Sequence, residues 1–445
     1  MVLCQLGILH KNFNKKSQLF TKQGAKINNL CVDLFKKACY NVYCDNYNLL
    51  RRNNMNFRET AARLPAEGEN NLFGKSFLRT WDMTDEDVKA VAAGAGALKA
   101  LRDNNLSPKY FESGIAVSMF SKKDMGMNIA FASGCDLLGL TIIDMDRKLG
   151  NSAINETATM ASYMADALGV CESDFIEKSS RYIKRISDSV EESKNNGVIT
   201  EKPCVLNLGS DEDSPVQTIA DLQYMAEKFG GTENLKGKKI AITWAYSPNG
   251  TRSLAVPQGI LSLVTRFGMN VVLAAPEGME LMPDAYKRAE ENAEKSGGSF
   301  SRVSSMEEAF ADAEIVVPIN WAPYSFLEKR TELSAANLGT YIDLLEHELR
   351  ENNKEFIDWE VTEAMMEKTK DGKALLLHDL PADVTDISCI RGEMTAQVYS
   401  ANSASLLAEA GMRPYVIASM ILFAKAKNPR AAFEAMAEKA TKRYF

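Results

Sequence analysis

The chain has 445 residues, more than one hydrophobic core usually supports, so its length favours two domains. Its hydrophobic fraction of 45% and charged fraction of 25% are those of an average globular protein, which excludes disordered and fibrous classes. The formal net charge of -7 argues against nucleic acid as a partner, because binding a polyanion requires a basic surface. No uninterrupted apolar run approaches the roughly 18 residues of a spanning helix, so no membrane partner is expected.

Cysteine and histidine usage limits redox and metal chemistry. The eight cysteines are scattered and form no CxxC pair, which is typical of reduced thiols in a cytosol. Only His10, His347 and His378 are available, and no HxxxH or HExxH pattern occurs. We therefore expect a cytoplasmic protein with no bound metal and no cofactor.

Residues 1–54 differ in composition from the rest. They carry nine Lys or Arg residues against two acidic residues, a net charge of +7, which leaves -14 for the remainder. A targeting peptide would be amphipathic, Arg-rich and Ser-rich, whereas this stretch is rich in Lys and Asn and lacks a cleavage-like small-residue site. We interpret it as a basic extension ahead of a start near Met55, disordered or foreign to the native protein.

Strands and helices alternate through the first half of the remaining chain. Thr84 is a candidate N-cap because Asp87 follows three residues later, so a helix is predicted over 84–105. Nearly continuous apolar runs, typical of buried parallel strands, predict strands over 114–120, 140–145 and 204–208. The other predicted helices are 129–138, 156–168, closed by Gly169, and 216–229, with Pro215 in its first turn.

The same alternation restarts after residue 230. Strands are predicted over 239–245, 270–275, 314–318 and 374–378, and helices over 257–267, 283–296, 305–312 and 361–368. Final helices over 414–444 should pack back across the molecule. Both halves are therefore predicted to be doubly wound parallel α/β sheets, whose ligands bind beyond the carboxyl ends of strands, here after Phe120, Leu208, Val317 and Leu377.

Four longer segments carry a family resemblance. They are ITWAYSPNGTRSLAVPQG (242–259), TRFGMNVVLAAPEG (265–278), PINWAPYSF (318–326) and DGKALLLHDLPADVTDISCIRGE (371–393). From about residue 70 to the C-terminus the chain resembles the knotted YgeW-type carbamoyltransferases, in the aspartate/ornithine carbamoyltransferase superfamily. The resemblance implies a homotrimer of two-domain subunits.

The resemblance also implies the domain boundaries. A carbamoyl-phosphate-type domain would comprise 70–214 and 414–445, and an amino-acid-binding-type domain would comprise 215–413. The proline-bearing loop 247–258 would thread a trefoil knot in the second domain, and an ordinary surface loop is the alternative. Proline fixes φ and lowers the entropy cost of holding such a loop open.

The family's carbamoyl phosphate site is not retained. Relatives supply Ser-Thr-Arg-Thr-Arg after their first-domain strand, and the aligned positions here are Asp124, Met125, Gly126, Met127 and Asn128. Two lost guanidinium contacts cost about 3 to 6 kcal/mol, or about a hundred- to ten-thousandfold in affinity. The lysines at 122 and 123 could compensate in part, but such a pair is also typical of a solvated loop.

Further family elements change as well. His-Pro-x-Gln becomes Ser214-Pro215-Val216-Gln217, beside an acidic run (211–213) that could equally serve a helix N-terminus. His-Cys-Leu-Pro becomes His378-Asp379-Leu380-Pro381, in which Leu380-Pro381 is expected to keep a cis bond. Pro-Lys-Ser-Trp becomes Pro318-Ile319-Asn320-Trp321, and Ser152 and Asn155 stand where relatives have Glu and Arg.

Two functions remain open. The first is a transferase with altered chemistry on a small amino or ureido compound, with His378, Asp379 and Gln217 catalytic and with substrate contacts from Trp321, Leu380, Pro381 and 124–128. The second is a non-catalytic binding or assembly subunit. The pair His378 and Asp379 could do acid–base work or be a structural hydrogen-bonded pair.

Overall fold

The structure is a computed structural model that describes residues 57, 59–121, 124–145, 164–250 and 252–444. The chain divides into two compact units, 1–59 and 60–445, and nearly all described residues belong to the second. The basic extension predicted over 1–54 lies outside the described residues.

The first sheet has four parallel strands in the order β2-β1-β3-β4. The strands are β1 (Ile115–Phe120), β2 (Thr141–Met145), β3 (Ala165–Cys171) and β4 (Cys204–Gly209). The helices of this part of the chain are α1 (Asp85–Asp103), α2 (Met125–Leu138), α3 (Lys178–Asn195) and α4 (Pro215–Phe229). Thr84 is the N-cap of α1, as predicted, and it forms a capping box in which the Thr84 and Asp87 side chains each accept a hydrogen bond from the other residue's backbone N–H.

The second sheet has five parallel strands in the order β7-β6-β5-β8-β9. The strands are β5 (Lys239–Trp244), β6 (Asn270–Ala274), β7 (Ser299–Val303), β8 (Ile315–Ile319) and β9 (Leu375–Leu376). The accompanying helices are α5 (Ala255–Arg266), α6 (Pro283–Ser296), α7 (Met306–Phe310), α8 (Tyr324–Ala335), α9 (Gly339–Asn353) and α10 (Glu363–Glu367). Both halves thus have the parallel α/β architecture expected from the sequence.

Three helices end the chain, and the second and third of them pack against helices of the first sheet. They are α11 (Ala396–Ala410), α12 (Arg413–Lys425) and α13 (Pro429–Lys439). Helix α12 packs against α1, α2 and α4, and nearly all of its residues are buried. The stretch 396–425 is long and apolar enough to cross a membrane, but 67% of its most apolar window is buried, as in a core helix.

One predicted helix is wrong where it can be tested. Residues 165–168, assigned to a helix over 156–168, begin strand β3, and residues 156–163 lie outside the described residues. Pairing with β1 and β4 overrides the helical preference of Ala and Leu. Gly169 is a strand residue, and a Cβ there would lie 2.5 Å from the Phe131 ring of α2.

Other boundaries and elements also differ from the prediction. Helix α2 begins at Met125, four residues before the predicted start, so 124–128 are its N-cap and first turn rather than a loop. Strand β9 has only two residues. The prediction missed helices α3, α8, α9 and α11 and the edge strand β7.

Candidate active site

Several functional candidates meet where strands of both sheets end. Helix α2 begins soon after β1 and α4 begins soon after β4, while residues 378–381 follow β9. Residue 126 lies at the centre of this region: a Cβ there would be 3.4 Å from Nη1 of Arg413 and 3.7 Å from the Leu380 carbonyl oxygen. The start of α2, the start of α12 and the segment after β9 therefore meet at one junction, which is the candidate cleft.

A carboxylate stands at the N-terminus of α2. Oδ1 of Asp124 accepts a hydrogen bond from the Met127 N–H at 2.9 Å and so caps the helix. Asp124 is exposed, and Met125 beside it is 76% exposed. The positive end of a helix would attract an anionic ligand, but here a side chain of the chain itself already provides the negative charge.

Arg413 is buried in the cleft with unused donors. It is the first residue of α12, is 5% exposed, and donates from Nη1 to the Leu380 carbonyl at 3.3 Å. Its Nε and Nη2 have no hydrogen-bond partner among the described residues. Buried donors left unpaired are costly, so this guanidinium is suited to an oxygen acceptor from a ligand.

Gln217 presents the opposite hydrogen-bonding character. Its Nε2 donates to Oδ1 of Asp221 at 2.8 Å and to Oε1 of Glu409 at 2.9 Å. Its Oε1 is buried and has no partner among the described residues. Burial and the proximity of the two carboxyls raise the pKa of Asp221, and burial raises the pKa of Glu409 against the opposing effect of Arg413.

The segment after β9 keeps the predicted cis bond between Leu380 and Pro381. Asp379 is half-buried, and its Oδ1 lies 3.8 Å from Nη1 of Arg252. Burial raises the pKa of Asp379, although the charge of Arg252 opposes the shift. Asp379 is therefore a carboxyl whose proton affinity is increased by its surroundings.

His378 and Glu393 lie deeper than Asp379. Nε2 of His378 is 3.1 Å from Oε2 of Glu393, but neither imidazole nitrogen makes a hydrogen bond of normal geometry among the described residues. Glu393 accepts from the backbone N–H groups of Asn320 at 3.0 Å and Asp383 at 2.8 Å. Burial opposes its ionisation, but His378, Arg252 and these hydrogen bonds together lower the pKa of Glu393 to about 2.

The predicted loop 247–258, whose last four residues form the first turn of α5, is attached to the segment after β9. Oγ of Ser247 donates to Asp383 at 2.5 Å, and Nδ2 of Asn249 donates to both Asp383 oxygens. Arg252 donates to the Pro381 carbonyl at 2.9 Å and lies 3.4 Å from Glu393. Residue 251 lies outside the described residues. The cation in this loop is thus already surrounded by acceptors of the chain.

Two carboxylates of the acidic run 211–213 accept hydrogen bonds from backbone N–H groups, and the third pairs with Arg79. Asp211 accepts from the N–H of Ser180 at 2.7 Å in the first turn of α3, and Asp213 accepts from the N–H of Thr80 at 2.6 Å. Burial raises the pKa of each carboxyl to about 6, despite these hydrogen bonds. These contacts give the run a structural role, one of the alternatives open from the sequence.

Trp321 lies in the core beneath the cleft. Its side chain is fully buried, and Nε1 donates to the Met279 carbonyl at 3.0 Å.

Among the described residues, the cysteines at 135, 171, 204 and 389 form no disulfide, and burial raises the pKa of Cys204 to about 12. No cluster of His, Cys, Asp and Glu within the described part of the chain is arranged to hold a metal.

Comparison with protein families matches both halves of the chain. The model described as "Aspartate/ornithine carbamoyltransferase, carbamoyl-P binding domain" matches residues 75–227. The model described as "Aspartate/ornithine carbamoyltransferase, Asp/Orn binding domain" matches residues 236–424. The two matches correspond to the first and second sheets.

A curated relative extends the match over almost its whole length. The Escherichia coli K12 protein named "Putative carbamoyltransferase YgeW" is 44% identical over 376 residues, which are 84% of this chain and 95% of the relative. This chain belongs to the aspartate/ornithine carbamoyltransferase family. The ornithine carbamoyltransferase of Thermotoga maritima is 25% identical over 79% of this chain and 98% of its own length.

Solved carbamoyltransferases share the fold. Ornithine carbamoyltransferase from Pyrococcus furiosus matches with a TM-score of 0.62 and 22% identity, over 80% of this chain and 97% of that one. Acetylornithine transcarbamylase complexed with acetylcitrulline matches with a TM-score of 0.61 and 22% identity, over 79% of this chain and 99% of that one. Both matches extend over nearly the full length of the solved chain.

The structure brings most of the predicted carbamoyltransferase site residues into one region. Residues 124–128, Gln217 and 378–381 border or underlie the cleft, whereas Trp321 lies in the core. Residues 122, 123, 152 and 155 lie outside the described residues. The sequence prediction missed Arg252, Arg413, Asp221, Glu393 and Glu409. The sequence contains a signal for Arg413, because a charged residue there begins an otherwise apolar helix.

Proposed function

We propose that this family member moves a carbamoyl group to or from a small amino or ureido compound. The observation that carries the proposal is the presence of two sets of buried, unused groups, the donors of Arg413 and the acceptor Oε1 of Gln217. Glu409 links them, because it accepts from Gln217 and lies near enough to Arg413 for the guanidinium charge to affect its pKa. A carbamoyl or ureido group, in which a carbonyl carries a terminal amino group, offers one oxygen acceptor and N–H donors to match both.

The arrangement also supports chemistry at the carbonyl carbon. When a nitrogen attacks that carbon, negative charge develops on the oxygen, where the guanidinium of Arg413 can stabilise it until the bond between the carbon and the donor's leaving group breaks. We assign Asp379 to the amine side, since a half-buried carboxyl with a raised pKa can accept a proton from the attacking nitrogen. His378 is fully buried and would act through its neighbours Glu393 and Asp379.

Recognition of the carbamoyl donor would differ from the family pattern. The carboxylate of Asp124 caps α2 where relatives place the start of their phosphate-binding arginine motif. Asp379, Asp383 and Glu393 all lie within 4 Å of Arg252, so that guanidinium is already neutralised. We infer that free carbamoyl phosphate, a dianion, binds weakly and that a neutral carbamoyl or ureido group is the preferred ligand.

A second function has one specific observation in its favour. The same three carboxylates leave Arg252 no free charge for a ligand, which is what a retired catalytic site would show. A non-catalytic binding or assembly subunit would keep the fold and bind ligands without turnover. The test below separates the two functions because it measures binding and turnover on the same samples.

The wider organisation is proposed by analogy with the family. We assign 70–214 with 414–445 to the carbamoyl side and 215–413 to the amino-compound side. The tight attachment of the loop 247–258 to residues 381 and 383 supports its proposed role in a knot. A cytoplasmic homotrimer is the expected assembly, and analytical ultracentrifugation measures its mass.

The test uses Arg413→Met with Arg430→Met as its matched control. Arg430 also donates to a backbone carbonyl, that of Leu64 at 2.8 Å, but it lies on α13. Thermal unfolding is followed with amino acids, their N-carbamoyl derivatives and carbamoyl phosphate, since a ligand at 100 times its Kd adds about 2.7 kcal/mol. Formation or loss of the ureido product is followed by colorimetry in the same samples.

The expected result is stabilisation of the wild type and of Arg430→Met by N-carbamoyl compounds, with turnover, and loss of both effects in Arg413→Met. Stabilisation without turnover would favour the binding or assembly subunit. If none of the ligands raised the unfolding temperature, or if Arg413→Met bound them as well as the wild type, the proposed site would be refuted.

A further inference from the structure

The side-chain amide of Gln217 is held in one orientation by two carboxyls. Asp221 lies one turn later on the same helix, and Glu409 reaches Gln217 from the end of α11, 192 residues away. Both carboxyl oxygens lie within 2.9 Å of Nε2. Turning the amide over would place Oε1 against these two oxygens and lose both hydrogen bonds from Nε2.

Apart from each other and the nearby charge of Arg413, Gln217 is the polar group that these two carboxyls contact among the described residues. Both are almost fully buried, at 2% and 0% exposure, and Glu409 Oε2 has no hydrogen-bond partner among the described residues. Burying two adjacent carboxylates is unfavourable, and this burial raises the pKa values of both acids. A role in fixing the orientation of the Gln217 amide would explain why this unfavourable pair of buried acids is present.

We propose that Asp221 and Glu409 are positioning residues that present Gln217 to the ligand as an acceptor only, and thereby select ligands with a terminal amino group on the carbonyl. This inference rests on the proposed function and adds its specificity. A ligand with the same carbonyl but a methyl group in place of the amino group would still reach Arg413. It would leave the buried Oε1 of Gln217 unpaired, which is expected to weaken binding by about tenfold or more.

The test measures the selectivity between matched ligands. N-carbamoyl and N-acetyl derivatives of glycine, β-alanine, aspartate and ornithine form four pairs in which a methyl group replaces the terminal amino group. Calorimetry gives Kd for each, and the ratio within a pair isolates that amino group. The variants are Glu409→Gln and Asp221→Asn, which permit either amide orientation, and Gln217→Met, which removes the acceptor while keeping the side-chain length.

A matched control accounts for lost stability. Asp87→Asn alters another buried carboxyl, in the capping box of α1, and should lower stability without touching the cleft. The wild type and Asp87→Asn are expected to prefer the carbamoyl member of a pair by about tenfold or more. In Glu409→Gln, Asp221→Asn and Gln217→Met, this ratio should fall towards one.

The outcomes separate this inference from the proposed function. If the wild type binds carbamoyl compounds selectively and the carboxyl variants remain equally selective, the positioning role is refuted while the proposed function stands. If the wild type binds both members of every pair equally, the acceptor role of Gln217 is refuted. If no pair binds to the wild type, both proposals fail. Gln217→Met keeps the test decisive should a carboxyl variant not fold.

Discussion

Replacing Asp124 with Asn isolates the charge at the start of α2. An Asn side chain keeps the oxygen that accepts from the Met127 N–H at 2.9 Å, so the helix cap and the fold should be retained. Only the negative charge is lost. Because Arg413 lies beside residue 126, the change leaves a guanidinium and a helix N-terminus facing the cleft without an opposing carboxylate there.

The expected gain can be estimated from Coulomb's law. One pair of unit charges about 4 Å apart interacts by about 1 kcal/mol in water, the limit suited to an exposed side chain such as Asp124. A dianion would therefore be repelled by about 2 kcal/mol, and removing this repulsion should improve affinity by about 10- to 30-fold. The gain should shrink as salt is added, because exposed charges are screened.

The assay is calorimetric titration with carbamoyl phosphate and with inorganic phosphate at low and high salt. Asp136→Asn is the control, since Asp136 is an exposed carboxylate on the same helix, about 18 Å further along it. That distance exceeds the Debye length of about 10 Å at 0.1 M salt, so the control should behave as the wild type. Equal affinity in Asp124→Asn and the wild type would refute the electrostatic reasoning.

Three further predictions concern stability. Burial raises the pKa of Asp213 to about 6, above its value in the unfolded chain, so the contribution of Asp213 to the free energy of unfolding falls as pH rises from 4 through 6. In urea unfolding, the stability advantage of the wild type over Asp213→Asn should therefore fall by about 2 to 3 kcal/mol from pH 4 to 7. A constant difference would contradict this. Glu393→Gln breaks a buried charge cluster and should lower the free energy of unfolding by about 3 to 5 kcal/mol. Because the pKa of Glu393 is lowered to about 2, the stability advantage of the wild type should vanish as pH falls through 4 towards 2. An unchanged urea midpoint at pH 7 would count against the cluster. Gly259→Ala places a Cβ 2.3 Å from an Asp213 oxygen and should lower the free energy of unfolding by about 1 to 3 kcal/mol or more. The control Gly339→Ala, whose Cβ has nothing within 4 Å, should be neutral in thermal unfolding. Equal effects of the two substitutions would show that the contact is misplaced.

The sheets were predictable because parallel strands buried on both faces are continuous apolar runs. Strands β1, β4, β5 and β8 are of this kind, and each was predicted to within about two residues at either end. Strand β3 was misread since its Ala and Leu residues also suit a helix, and only its neighbours in the sheet decide between the two. Strand β7 is half-exposed at the sheet edge and lacked an apolar run.

The sequence indicates where the candidate site lies, but not how its side chains are hydrogen-bonded. The alignment with the family pointed to Gln217 and to the segment after β9, and the structure brings both near the cleft. It could not show that Gln217 has its donor occupied, because one of the two acceptors, Glu409, lies 192 residues away. Nor could it show that Arg413, 33 residues from Leu380, lies beside that segment with unused donors.

A crystal structure of the wild type with an N-carbamoyl amino acid would test the central claim most directly. We predict that the carbamoyl oxygen lies within hydrogen-bond distance of Nε or Nη2 of Arg413 and that its terminal amino group donates to Oε1 of Gln217. A ligand bound instead with its anionic group on the backbone N–H groups at the start of α2, with Arg413 and Gln217 left unpaired, would contradict the account.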